Sequence, residues 1–343
     1  MNIVKSGFVN GKQRYSIIND GDIIKSSYDK HKLQDYLNPP IEPVCEEITE
    51  ETQILDLDNI EDDTLITYKG TVNNGIKRID EFKIIKNTSD VLEVYLPKDE
   101  KLSIFPVGDL HIGSPQFNKE WLDYWFDIIA KCKNYVVVYL MGDIFEVASK
   151  KVGDSSFRQK YDVNDQEHIF KKKVNNLKKR LGYNPFRASV SGNHDKRLLE
   201  LDYSLNRSMS EDLDILKYGH KIYDTIIVNG KTLKIHLYHG KHTNKEQHLR
   251  QGAFIRDTNK KSADLFLEGH NHDTDVFSTY ITGDGVNYRR FFGFTGSALD
   301  YKDGYADEKD LIEIPKGFIE YEIYPNGGLN GKEYHSDLID WEK

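Results

Sequence analysis

The sequence predicts an α/β fold preceded by a small N-terminal appendage, and three observations carry that expectation. From Leu102 onward, short apolar runs alternate with segments whose apolar residues fall at helical spacing. The apolar runs end at short polar motifs that contain or adjoin glycine, where a sheet presents ligands from its strand ends. The 343 residues, 38% of them hydrophobic, suffice for one large core and a small extra domain.

Residues 1–39 read as a β-β-α appendage. Gln13–Ile18 and Asp22–Ser26 are short strands around an Asn19-Asp20-Gly21 turn, and Tyr28–Leu37 is helical until Asn38-Pro39-Pro40. A nucleic-acid or partner-binding module is the sharper reading of the same unit. Residues 40–63 open with prolines, turn acidic and read as a mobile linker. Residues 64–343 form the main domain, with a motif core at 102–300. Val91–Leu96 alternates like a strand, and Asn73-Asn74-Gly75 marks a turn. Leu102–Val107 is an apolar strand. Lys119–Lys133 places Trp121, Leu122, Trp125, Ile128 and Ile129 at helical spacing, with Asn118 as the cap. Tyr135–Met141 is a fully buried strand, Asn164–Leu181 a second helix and Arg187–Ser191 a third strand. Thr225–Val228 and Thr232–Tyr238 flank Asn229-Gly230, a hairpin turn. Asp264–Glu268 and Phe291–Phe294 complete the strands, the latter returning Gly296–Tyr301 to the rim of the site, where Tyr301 and Tyr305 either stack on a base or pack.

The formal net charge of -9 is local in origin. Nine acidic residues and no Lys or Arg lie between Glu46 and Asp63; setting those nine aside from the 56 acidic residues leaves 47, equal to the 47 Lys and Arg. A globally basic nucleic-acid binder is excluded, so any polyanion must meet a local patch. Cys45 and Cys132, the only cysteines, give neither a disulfide framework nor a cysteine zinc site. Met1–Tyr15 has no apolar segment of the signal-peptide kind, and no run reaches a membrane span, so a cytoplasmic protein without membrane partners is expected.

Five motifs hold the chemistry. They are Gly108-Asp109-Leu110-His111, Gly142-Asp143, Gly192-Asn193-His194-Asp195, His239-Gly240 and Gly269-His270-Asn271-His272. Carboxylate, imidazole and amide are the donors that borderline divalent metals prefer. In order and spacing the series resembles the calcineurin-like metallophosphoesterase superfamily, whose signature is D-x-H, G-D, G-N-H-[DE], H and G-H-x-H. The resemblance covers roughly Leu102 to Asp300. It implies two mixed β-sheets packed as a sandwich flanked by helices. It also implies that Asp109, His111, Asp143 and His272 hold one divalent ion, and Asp143, Asn193, His239 and His270 a second. Manganese is the first expectation, and iron or zinc suits the same donors. Ions about 3.5–4 Å apart, bridged by Asp143, would share a water and clamp a phosphate. His194 would act as the acid toward the leaving oxygen, oriented by Asp195.

His236 and His242 compete for the place of His239. His236 lies inside a strand at an odd step from His239 and should face away, and His242 lies past the turn. Glu146 stands where the double-strand-break repair nuclease branch tends to carry a histidine. The Asp-Arg-Gly that follows the G-D motif in phosphoprotein phosphatases is missing. Lys196, Arg197 and Lys241 adjoin ligand motifs and are the candidates for substrate phosphate contacts. Lys171–Lys173 and Lys178–Arg180 read as a solvated helix face, with a phosphate-backbone patch as the alternative. The expected function is metal-dependent hydrolysis of phosphodiesters, in DNA, RNA or nucleotides. The alternatives are a phosphomonoesterase and, less well matched, a protein-binding scaffold, the use a retromer subunit makes of this fold.

Overall fold

The computed structural model describes the backbone at residues 2–9, 12–19, 22–27 and 66–67, and residues 83–147, 159–197, 205–241, 246–283, 286–300 and 316–336. The chain divides into two compact units, Met1–Ile60 and Glu61–Lys343.

In the first unit β1 (Asn2–Val9), β2 (Lys12–Asn19) and β3 (Asp22–Ser27) form an antiparallel sheet in that order. The sequence expectation contained β2 and β3 but not β1. The alternation of β1 is broken where its register with β2 shifts between Lys5 and Gly7, which removes the period-2 signal. The expected helix at 28–37, the acidic segment at 40–63 and the turn at Asn73-Asn74-Gly75 lie outside the described residues.

Among the described residues the second unit is built on fourteen strands. The first six are β4 (Ile66–Thr67), β5 (Lys83–Asn87), β6 (Leu92–Tyr95), β7 (Leu102–Val107), β8 (Tyr135–Leu140) and β9 (Phe186–Val190). Then come β10 (Lys217–Gly219), β11 (Lys221–Val228), β12 (Lys231–Tyr238) and β13 (Leu265–Glu268). The last four are β14 (Thr274–Gly283), β15 (Val286–Ser297), β16 (Gly317–Ile323) and β17 (Leu329–His335). Among the described residues four helices accompany them: α1 (Lys119–Lys131), α2 (Val163–Leu181), α3 (Leu205–Asp212) and α4 (Gln247–Thr258).

The strand order is β10-β9-β8-β7-β16-β15-β13-β12-β11-β6-β5-β4, with β14 on β15 and β17 on β16. The two sheets of the expected sandwich are therefore two arms of one curled mixed sheet. Long β15 joins them, pairing with β13 through Phe291–Phe294 and with β16 through Gly296 and Ser297. The crossing needs Gly296: its φ is +81°, and a Cβ there would lie 2.0 Å from the Gly317 carbonyl oxygen.

Alternation along the strands explains the layers. On β7 and β8, Leu102, Ile104, Tyr135, Val137 and Tyr139 point inward and meet Leu233, Ile235, Leu237, Leu265 and Leu267 of the other arm. The opposite faces, Phe105, Val107, Val136, Val138 and Leu140, pack under Trp121, Trp125 and Ile129 of α1 and Phe170 and Val174 of α2. Helix α1 starts where Asn118 accepts a hydrogen bond from the Trp121 N–H, and α2 stops at Gly182 in the left-handed region. Phe254 of α4 covers Phe266, Phe292 and Phe294 on the far side of the second arm. Inside the sandwich Arg187 grips both oxygens of the buried Asp224, and Tyr139 Oη donates to Asp224 Oδ2 at 2.7 Å, so this buried ion pair is internally satisfied.

The basic run of α2 is largely consumed internally. Lys171 pairs with Glu167 and Asp212, Lys173 with Asp123, and Arg180 with Asp127, while Lys178 donates to the Leu213 carbonyl.

His236 does face away from His239. It is fully buried on the outer side of β12 between Tyr223 and Phe266, and neither ring nitrogen has a hydrogen-bond partner among the described residues. Burial, with Lys261 and Lys221 adding to it, lowers its pKa to about 4. A free imidazole titrates near 6.5, so the stability this neutral ring confers is complete above about pH 6.5 and declines as the pH falls toward 4, by up to about 3 kcal/mol. His236→Phe should flatten the pH dependence of unfolding in urea across that window. Parallel wild-type and variant curves would show that the ring protonates without cost.

Candidate metal centre

Parallel strands bring the motifs to one edge. β7, β8 and β9 run parallel in one arm, and β12, β13 and β15 in the other, so their C-terminal ends lie on the same side. At that edge the backbone turns sharply. Asp109, His111, Asp143, His270 and His272 all have positive φ, from +46° to +75°, a region that costs a non-glycine residue about 1–3 kcal/mol. Neighbouring backbone pins them: the Asp109 and His111 N–H groups donate to the Gly142 and Asp143 carbonyls at 3.0 Å. Gly192 makes room, since a Cβ there would stand 1.9 Å from Asp143 Oδ1.

The candidate ligands collect in two adjoining groups. Asp109, His111 and His272 offer donor atoms within 4.8 Å of one another, and so do Asp143, His239 and His270. Asp143 Oδ2 lies between them, 3.1 Å from His239 Nε2 and 3.8 Å from His111 Nε2. Asn193 Oδ1 approaches His239 Nε2 at 3.1 Å. All seven expected ligands are thus brought together. A third group, His111, Glu146 and His194, overlaps the first.

The donor set fits divalent cations on the pattern of its hydrogen bonds. His239 Nδ1 donates to the Met141 carbonyl at 2.8 Å, leaving Nε2 to face the oxygens of Asp143 and Asn193. A second proton or a cation must sit among these acceptors. His111 Nδ1 lies 2.9 Å from Glu146 Oε2, which leaves its Nε2 facing His272 Nε2 at 3.2 Å, a contact that needs a shared proton or a cation between the two nitrogens. Asp109 is fully buried, and its Oδ1 has no hydrogen-bond partner among the described residues. Burial pushes its carboxyl up to about 8 against the pull of His239. Burial would also raise Asp143, but the hydrogen bond and charge of His239, with His111 and His194, hold it well below the usual carboxylate range. Burial depresses His239, yet Asp143 and Asp109 outweigh it and raise the ring to about 10. A bound divalent cation would supply the charge that these groups otherwise take from one another.

Asp195 corrects one expectation: its carboxylate does not orient His194. Asp195 Oδ2 accepts from the N–H groups of Gly192 and Asp143, at 2.8 and 3.0 Å, and so fixes the Asp143 turn. The sharp Gly192–Asp195 turn folds this side chain back onto its own loop, away from the imidazole. Glu146 takes the orienting place. His194 Nδ1 donates to the Glu146 carbonyl at 3.0 Å and lies 3.4 Å from its Oε2, while the Glu146 side chain also holds His111. The signal was in the sequence, a carboxylate three residues after Asp143, but its partners are 35 and 48 residues away.

Of the substrate candidates, Arg197 lies closest to the chemistry. Its Nη1 donates to the Glu146 carbonyl at 2.9 Å, and its Nη2 stands 2.8 Å from His194 Nε2. Burial lowers the His194 pKa, Glu146 and Asp143 outweigh it, and the guanidinium pulls the other way. Lys196 is exposed. Lys241 is exposed and pairs with Asp257 at 2.9 Å. Tyr301, Tyr305 and His242 lie outside the described residues.

The model of the calcineurin-like phosphoesterase family matches residues 102–312. The chain belongs to that family. Calcineurin-like phosphoesterases use divalent metals, which the two ligand groups suit. Among solved structures, Vacuolar Protein Sorting 29 from Cryptosporidium parvum is 15% identical, with a TM-score of 0.36 over 69% of this chain and 100% of that one. A metallophosphoesterase from Sphaerobacter thermophilus is 13% identical, with a TM-score of 0.33 over 68% of this chain and 87% of that one. Vps29 from Entamoeba histolytica, complexed with zinc, is 12% identical, with a TM-score of 0.30 over 68% of this chain and 98% of that one. No curated protein matches the chain. Among the described residues no helix is long and apolar enough to cross a membrane.

Proposed function

We propose that this calcineurin-like phosphoesterase hydrolyses phosphodiester bonds in nucleic acid or nucleotides, using two divalent ions, manganese first among them. The carrying observation is the pair of ligand groups that meet at Asp143 Oδ2, with His194 beside them. When bound, the ions would supply positive charge for the phosphoryl oxygens and lower the pKa of an attacking water. Asp109, His111, Asp143 and His272 would hold one and Asp143, Asn193, His239 and His270 the other. His194 would give a proton to the leaving oxygen, because its Nδ1 is fixed on the Glu146 carbonyl and its Nε2 is left for the substrate. In this structure Arg197 occupies that Nε2. A substrate phosphate would draw the guanidinium away and free the ring to carry its proton. The proposed compartment is the cytoplasm, on the sequence grounds given above.

The test is hydrolysis, with and without added Mn²⁺, of bis-p-nitrophenyl phosphate, p-nitrophenyl phosphate, and single- and double-stranded DNA and RNA. Turnover of the diester above the monoester supports the proposal; the reverse order makes the protein a phosphomonoesterase, and no turnover with any divalent metal favours a scaffold. Arg197→Ala should raise KM for the diester roughly 10- to 100-fold, the loss of one charge-assisted contact. An unchanged KM with a lower kcat would mean that Arg197 serves His194 alone.

A further inference from the structure

The outer face of the β11–β12 hairpin carries rings and cations that the metal centre does not use. The pairing register places Lys221 opposite Tyr238 and Tyr223 opposite His236. Tyr238 is held between two ammonium groups, with Lys221 Nζ 4.7 Å and Lys261 Nζ 5.9 Å from its ring centroid. Tyr223 lies edge-on to the buried His236 ring and is 53% exposed, an open aromatic face on a rigid base. Lys234 extends the row along β12, and Arg290 stands over Phe266, the residue beside His236 on β13. Helix α4 covers Phe266, Phe292 and Phe294 but leaves Tyr223, Lys221 and Lys234 exposed.

The charges on this face are only partly offset, by Asp257 and Glu268 acting on Lys261. Among the described residues no carboxylate lies within ion-pair distance of Lys221, Lys234 or Lys261. The nearby acids are otherwise engaged: Asp257 pairs with Lys241, and Asp264 Oδ2 accepts the Lys234 backbone N–H. Lys261 is half-buried, and burial and then the charge of Lys221 lower its pKa against the opposing pull of Asp257 and Glu268. A chain of net charge -9 that crowds like charges around a tyrosine has built a place for an anion. The face also leads to the metal centre. Tyr238 directly precedes His239, and Lys234 lies roughly 13 Å back along the strand at ~3.3 Å per residue.

We propose that the outer face of β11 and β12 is a binding platform for single-stranded nucleic acid, with a base stacking on Tyr223 and the backbone neutralised by Lys221 and Lys261 around Tyr238, with Lys234 and Arg290. The inference rests on the phosphodiesterase reading for its purpose: the platform holds a polynucleotide whose scissile phosphate lies at the ligand edge beyond Tyr238. An exposed ring beside a cation cluster suits unpaired bases, since a duplex hides its base faces. A steep salt dependence belongs to the same design.

The experiment is fluorescence anisotropy of labelled oligodeoxythymidylate with the full chain in EDTA, so that binding is read without catalysis. Tyr223→Ala should weaken binding about 5-fold or more. Lys221→Ala with Lys261→Ala should weaken it further and flatten the dependence of Kd on salt. Tyr223 and Lys221 are exposed, and thermal melts check that the variants fold. Wild-type affinity in both variants, or no binding by the wild type, overturns the platform. So does a loss confined to phosphatidylserine vesicles, which would make the face a membrane contact, or equal variant-insensitive binding of duplex. The phosphodiesterase reading is judged apart, by wild-type turnover of bis-p-nitrophenyl phosphate with Mn²⁺, and either can fail alone.

Discussion

Replacing His194 with alanine should lower turnover about 10²–10⁴-fold and leave the metal content unchanged, the usual effect of removing a positioned acid or base. The geometry separates His194 from the two expected ligand groups while keeping it within reach of them. Its ring meets the His111 ring edge-on at 4.4 Å, its Nδ1 is spent on the Glu146 carbonyl, and its backbone N–H donates to Asp143 Oδ1 at 2.8 Å. Only the backbone bond supports the Asp143 carboxylate, and alanine keeps it. Single-turnover kinetics together with elemental analysis of the same sample is the measurement. A variant that loses an ion along with its rate would make His194 a ligand, as its grouping with His111 and Glu146 permits. A variant that keeps its rate would leave the leaving group to find its proton from solvent.

Asp143→Asn should lose more metal than any other single ligand change. Asp143 Oδ2 is the atom that faces both His239 and His111, and the other expected ligands belong to one group each. Asparagine keeps the shape and the acceptor for the His194 N–H but removes the charge that both groups use. The side chain is almost fully buried, so the variant also leaves His239 without its main counter-charge. After Mn²⁺ soaking and desalting, wild type should approach two ions per chain and the variant fewer than one. Two ions retained in the variant would remove Asp143 as the shared ligand. Addition of EDTA to the wild type should lower its unfolding temperature, because ligands that bind only the folded state stabilise it.

The parts of this molecule that were legible in the sequence are those with a short-range signature. Tyr135–Leu140 is a continuous apolar run, α1 shows its helical spacing and its Asn118 cap, and the β11–β12 turn announces itself as Asn229-Gly230, both with positive φ. The ligand types were legible because glycine punctuates each turn, as at Gly142 and Gly192. Two things were hidden. The joining of both arms through β15 depends on where a long strand bends, and Gly296 alone does not reveal which partners it has on either side. The roles of Asp195 and Glu146 depend on contacts between loops: one residue beside His194 in sequence turns to the Asp143 loop, and one 48 residues away takes its expected place. Adjacency in a tight turn does not fix the direction of a side chain.

Each ligand group draws on both arms of the curled sheet. Asp109 and His111 follow β7, whereas His272 follows β13; Asp143 follows β8, whereas His239 and His270 follow β12 and β13. An ion held by either group is therefore a cross-link, and the pair formed by His111 and His272 closes a loop of 161 residues. Such an ion binds only the folded arrangement and acts there as a clasp between the two arms. Ions bound there would thus also fasten the two arms to each other, so that the protein's durability and any hydrolysis it performs would rise and fall with the same supply of metal.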